Sequence, residues 1–132
     1  MKILVDTSVW SAVLRRSEDH NQDTKKLLAE LIAGNLVQMM GPIRQEILSG
    51  VREDAQFDIL KNHLAAFPDV PITTGDYVTA AIYFNQCRRK GIQGSNTDYL
   101  ICAVAVRNRM QILTTDKDFK EFKKVLPIEL YE

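Results

Sequence analysis

Clusters of thiols, paired histidines and glycine-rich phosphate loops are all missing from this chain. The two cysteines, Cys87 and Cys102, form no C-x-x-C pair, which leaves a zinc ribbon or dithiol redox site without support. Cys102 lies in the apolar run 100–106 and reads as a small buried hydrophobe. Cys87 reads as helix packing, although Arg88 and Arg89 beside it could lower its pKa. The two histidines, His20 and His63, stand in a polar stretch and on the border of an apolar stripe. That disfavours metal-free, paired-histidine phosphodiester chemistry. Neither G-x-x-x-x-G-K-[ST] nor G-x-G-x-x-G occurs, so nucleotide-cofactor folds gain no support. Net charge is lacking too: 17 basic residues balance 17 acidic ones. A polyanion must therefore be met by a local basic surface. There is no long apolar run, and the N-terminus has no leader pattern, so the expected location is the cytoplasm and no membrane partner is expected.

What is present fits one domain over residues 1–132. The length and the 45% hydrophobic content suit a single core. Short apolar strands are expected at 2–5, 36–40, 111–115 and 128–131, with a weaker one at 70–72. Helices are expected from Thr7 or Ser8, then over 24–33, 42–49, 53–67, 76–90, 97–109 and 117–125. Residues 18–23 read as a loop, and Gly34 as a helix C-cap. Strands alternating with helices of this length give βαβ units. The predicted fold is a three-layer α/β/α sandwich around a mostly parallel sheet.

Asp6 and Asp116 each follow a strand directly. In an open parallel sheet the carboxyl ends of the strands form the ligand edge. Glu46 and Asp98 fall early in helices that enter from that edge. Glu46 has Ile43, Ile47 and Gly50 at helical spacing, which predicts an inward face where a bare carboxylate is costly. Asp98 has Ile101, Cys102 and Ala105 along its side. Taken alone, Asp6 and Asp116 also read as helix caps and Asp98 as a dipole partner, while the inward-facing Glu46 is the hardest to read as structural. Together they suit hard divalent cations, which prefer carboxylate oxygen and promote phosphodiester hydrolysis.

The stretch Val5-Asp6-Thr7-Ser8-Val9-Trp10 resembles the opening of PIN-domain proteins. Pro42–Gly50 resembles that family's second acidic motif, Asn96–Ala103 its third, and Leu113–Phe119 its fourth. Order, spacing and length agree over the whole chain, with Cys102 standing where a small alanine is common. Among stand-alone PIN domains the chain looks like a VapC-type toxin of a toxin–antitoxin pair. The resemblance implies an endoribonuclease dependent on Mg²⁺ or Mn²⁺. It also implies a homodimer held inactive by a small antitoxin. The metal acids carried over are Asp6, Glu46, Asp98 and Asp116. Ser8 matches the hydroxyl beside the first aspartate, and Asp118 matches a supporting second acid. The mechanism implied is attack on RNA phosphate by metal-activated water, leaving 5′-phosphate and 3′-hydroxyl ends.

Asn96 and Thr115 are candidates to orient the metal ligands, with an N-cap role for Asn96 equally weighted. Arg44 and Tyr99 are candidates to touch RNA. Arg15, Arg16, Arg88, Arg89 and Lys90 are further cations, and Trp10 reads as core. Two rival functions stay open. One is a Mg²⁺-dependent phosphatase or phosphoacceptor, which usually carries a second acid or lysine that Asp6-Thr7-Ser8 lacks. The other is a non-catalytic interaction module on a PIN-like fold.

Overall fold

Ile3–Val5 (β1) is buried on both faces, which explains its unbroken apolar run. The computed structural model describes residues 1–14 and 22–132. After β1 come Thr7–Leu14 (α1), Gln22–Ala33 (α2), Val37–Gln38 (β2), Gly41–Ser49 (α3) and Asp54–Leu64 (α4). Thr74–Arg89 (α5), Asn96–Arg107 (α6), Gln111–Leu113 (β3) and Asp118–Lys123 (α7) complete the order. Most of the loop expected at 18–23 lies outside the described residues, as do Arg15, Arg16 and His20; Gln22 and Asp23 already belong to α2.

The sheet has the order β2-β1-β3 and is parallel, with Ile3 opposite Val37 and Gln111, and Val5 opposite Leu113. Two parallel bridges widen it, Met39 to Asp69 at one edge and Ile112 to Leu130 at the other. The strands expected at 70–72 and 128–131 shrink to these bridges. Pro68, Pro71 and Pro127 flank them, and proline cannot donate to a ladder.

From β1 the chain moves outward through β2 to the Asp69 edge, then returns past β1 to β3. Crossovers in such sheets are right-handed. The helices of the first direction, α1 to α4, therefore cover one face, and α5 and α6 cover the other. The contacts agree: α1 packs on α2 and α3, α3 on α4, and α5 on α6. This is the three-layer architecture the sequence predicts. The direction reverses between β1 and β3, so a crevice opens at their carboxyl ends.

Helix boundaries follow local chemistry. The α5 and α6 helices each begin on a capping box, Thr73 with Asp76 and Ser95 with Asp98. Residues 99–105 are all buried, so α6 is apolar around its circumference. Gly34 is not the left-handed residue after α2. Asn35 takes that position, with φ of 57°, since asparagine tolerates it through local polar contacts.

Candidate active site

Asp6 leaves β1 at the crevice and is buried, with 6% exposure. Its carboxylate does not cap α1. Oδ2 accepts from Ser8 Oγ at 2.7 Å and from Thr114 Oγ1 at 2.8 Å. The Ser8 hydroxyl in turn accepts from the Thr115 amide at 3.1 Å. One carboxylate is thus fixed by hydroxyls from both central strand ends. The expected Thr115 contribution is its backbone amide, whereas the hydroxyl on Asp6 belongs to Thr114, which the sequence reading missed. The strand ends at Leu113 rather than Thr115, so both threonines leave the ladder at the crevice.

Asp116 sits in the next turn. Its amide donates to Thr114 Oγ1 at 3.0 Å, and its Oδ1 accepts from the Asp118 amide at 2.9 Å. Asp118 contributes that amide and is exposed. Asp98 both caps and faces the site. Its Oδ2 accepts from the Ser95 amide at 3.1 Å, and its amide donates to Ser95 Oγ at 3.1 Å. Burial pushes its carboxyl pKa up and the Ser95 hydrogen bonds oppose this, while the charges of Asp6 and Asp116 raise it further. These three acids therefore feel one another.

Glu46 corrects the sequence argument. It is exposed, while Ile43 and Ile47 are buried. A residue three places from Ile43 lies about 60° around the helix from it, at the border of the buried stripe. Its Oε1 accepts from Thr7 Oγ1 at 3.1 Å, which links α3 to the start of α1 beside Asp6. From sequence Thr7 reads only as a possible start of α1, and its contact with Glu46 is a site role that reading does not contain. Asp-Thr-Ser after a strand was the only available signal for it.

Asn96 is the first residue of α6 and exposed; Ser95 is the N-cap. Arg44 does not face the crevice. Its guanidinium donates to Leu64 O at 2.9 Å, to Phe67 O, and to Asp69 Oδ1 at 2.9 and 3.1 Å. It ties α3 to the end of α4 and the segment after it and is not placed to touch RNA. Nor is Tyr99, which is 1% exposed and packs against Phe84 and Phe122, with ring centroids 5.4 and 4.9 Å away. Gly94 packs closely on these rings: a Cβ there would lie 2.6 Å from Phe122 Cζ. Cys87 and Cys102 are buried, and burial pushes both thiols up, so the neighbouring arginines do not activate Cys87.

Only two charged residues are buried among the described residues, Asp6 and Asp76. Asp76 has its cation: Arg107 Nε lies 2.6 Å from Oδ1 and Nη2 lies 2.8 Å from Oδ2. Asp6 has none among the described residues, and neither do Glu46, Asp98 or Asp116. A buried anion normally needs a paired charge. The donor set is all oxygen, which suits a hard divalent cation. The four acids do not form a closed cage: among the described residues no three His, Cys, Asp or Glu side chains are grouped to hold an ion directly. This fits a cation that keeps part of its water, as Mg²⁺ does when bound through one or two carboxylates.

An open parallel sheet with uncompensated carboxylates at its switch point defines the class. The PIN domain profile matches residues 3–125, and the chain belongs to the PIN domain family. Ribonuclease VapC11 of Mycobacterium tuberculosis is 30% identical over 130 residues, covering 96% of both chains. The fold is similar to FitAcB of Neisseria gonorrhoeae, with TM-score 0.77, 18% identity and coverage of 98% and 96%. It is also similar to VapBC2 of Rickettsia felis bound to a promoter DNA fragment. There the TM-score is 0.77, the identity 18% and the coverage 99% and 98%. No helix among the described residues is long and apolar enough to cross a membrane.

Proposed function

We propose that this protein is a divalent-metal-dependent endoribonuclease, the toxin of a toxin–antitoxin pair. The observation that carries it is Asp6: a buried carboxylate with no cation among the described residues, held by hydroxyls next to two other carboxylates. The VapC ribonuclease relatives support RNA as substrate, and the Rickettsia complex supports a small antitoxin partner. Such a substrate and partner fit work in the cytoplasm. Asp6, Asp98 and Asp116 are the carboxylates that would hold Mg²⁺ or Mn²⁺, directly through one or two of them and otherwise through water the ion keeps, with Glu46 at the rim.

When bound, the metal neutralises phosphate charge and lowers the pKa of water. The chain's own residues prepare the site for it. Ser8 and Thr114 occupy one Asp6 oxygen and so orient the other. Ser95 holds Asp98, and the Asp118 amide holds Asp116. Thr7 donates to Glu46 and so ties it to the start of α1, next to Asp6. Hydroxyl and amide donors hold the carboxylates in place without cancelling their charge, as a cationic partner would. The products are 5′-phosphate and 3′-hydroxyl ends.

Tyr77, Val78 and Ile82 on α5 are 57%, 56% and 48% exposed. Tyr77 also lines a groove of 470 Å³ with Pro42, Gln45, Ala80, Asn96 and Leu100. The exposed apolar side chains of α5 support a homodimer.

The test is cleavage of single-stranded RNA with Mn²⁺, with and without EDTA. Wild type cleaves and EDTA stops it. Asp6→Asn loses nearly all activity. Near-wild-type cleavage by Asp6→Asn would overturn the site.

A further inference from the structure

A cavity of 220 Å³ adjoins the crevice and shares Thr114 and Asp116 with it. Its other walls include Lys117, Lys120 and Tyr131. Topology brings them there. The segment at Leu130 runs parallel to β3, with the Ile112 amide donating to Glu129 O and the Tyr131 amide to Ile112 O, both at 2.9 Å. Tyr131 therefore emerges at the carboxyl end of the outermost sheet position, on the edge that carries Asp116. Lys117 and Lys120 reach the same cavity from the turn before α7 and from α7 itself.

Two features fit this cavity to a nucleotide. Neither lysine has a carboxylate within ion-pair distance among the described residues, whereas Lys124, on the same stretch, pairs with Glu121 at 2.9 Å. Tyr131 is half-buried, so its ring is held at the cavity yet still presents a surface. In a chain of zero net charge, unpaired cations beside a carboxylate site form the local basic surface a polyanion needs. The small volume favours a single planar group over a duplex.

We propose that this cavity binds the nucleotide next to the scissile phosphate in single-stranded RNA. Lys117 and Lys120 hold its backbone phosphate, and Tyr131 stacks on its base. The assignment rests on the ribonuclease reading, and it adds where the strand runs: from Asp116 toward the outer edge of the sheet at Tyr131. Glu132, also on the cavity wall, repels phosphate and so confines the contact to the lysine side.

The test measures binding of a short fluorescein-labelled single-stranded RNA by anisotropy in EDTA, where cleavage is off. Tyr131→Leu weakens binding by about 5- to 160-fold, the range for loss of one base–aromatic stack. Tyr131→Phe stays close to wild type, which separates stacking from loss of a hydroxyl. Lys120→Gln lowers the slope of log affinity against log salt by about 0.7, one phosphate contact on a single strand. Lys61→Gln, on the remote α4 helix, leaves that slope unchanged. Thermal melts identify any variant that fails to fold, and Tyr131→Phe with Lys120→Gln then carries the test. If wild type cleaves RNA while Tyr131→Leu and Lys120→Gln bind it normally, the cavity assignment is overturned and the nuclease reading stands. If wild type neither binds nor cleaves RNA, both fall.

Discussion

Replacing Asp98 by Asn and by Ala separates its two jobs. The carboxylate caps α6 through Ser95, and it adds to the negative charge shared with Asp6 and Asp116. Asn keeps an oxygen for the Ser95 amide and removes the charge, so metal-free Asp98→Asn melts at or above wild type. Ala removes both and loses the capping box, which costs about 1 kcal/mol. Unfolding entropy of about 2.1 cal/mol/K per residue converts that into roughly 4 °C for a chain of 132 residues. Asp98→Ala therefore melts about 4 °C below Asp98→Asn. Metal at a hundredfold excess over its dissociation constant adds about 2.7 kcal/mol to wild type, or roughly 10 °C. Both variants lose most of that gain. The assay is differential scanning fluorimetry of the three proteins with EDTA and with rising Mn²⁺. Equal Mn²⁺ shifts in wild type and Asp98→Asn, or no shift in either, would refute the shared metal site and leave Asp98 as a cap alone.

Two further outcomes follow from the same structure. The Arg107 guanidinium beside Asp76 holds its carboxyl below the usual carboxylate range, outweighing burial. A depressed folded pKa gives stability that is present above the unfolded value, about 3.9, and lost as pH falls through the folded one. Wild type should therefore exceed Asp76→Asn in melting temperature at neutral pH, with the gap closing below about pH 4; a gap independent of pH refutes the pairing. The exposed α5 face predicts a homodimer by light scattering at micromolar concentration, and Tyr77→Glu should shift it toward monomer; a monomeric wild type refutes it.

The sequence by itself determined the features that depend on neighbours along the chain. The unbroken apolar β1, the apolar α6 and the strand–helix alternation gave the layers. A polar residue directly after a buried strand must lie at the sheet's end, which makes Asp6 legible as an edge residue, and Asp116, a short turn beyond Leu113, falls at the same edge. Only the tertiary structure decided what each side chain meets there. Helical periodicity marks which face is apolar, yet a residue on its border, such as Glu46, turns either way, and Thr7 settles it. Arg44 is two residues from Glu46, but its long side chain reaches carbonyls some twenty residues further on. Tyr99 adjoins Asp98 in sequence, but helical geometry turns its ring about 100° away, into the packing of α5 and α7. The hydroxyls of Ser8 and Thr114, 106 residues apart, meet on one Asp6 oxygen. No local pattern encodes that meeting, because it follows from the parallel register of β1 and β3.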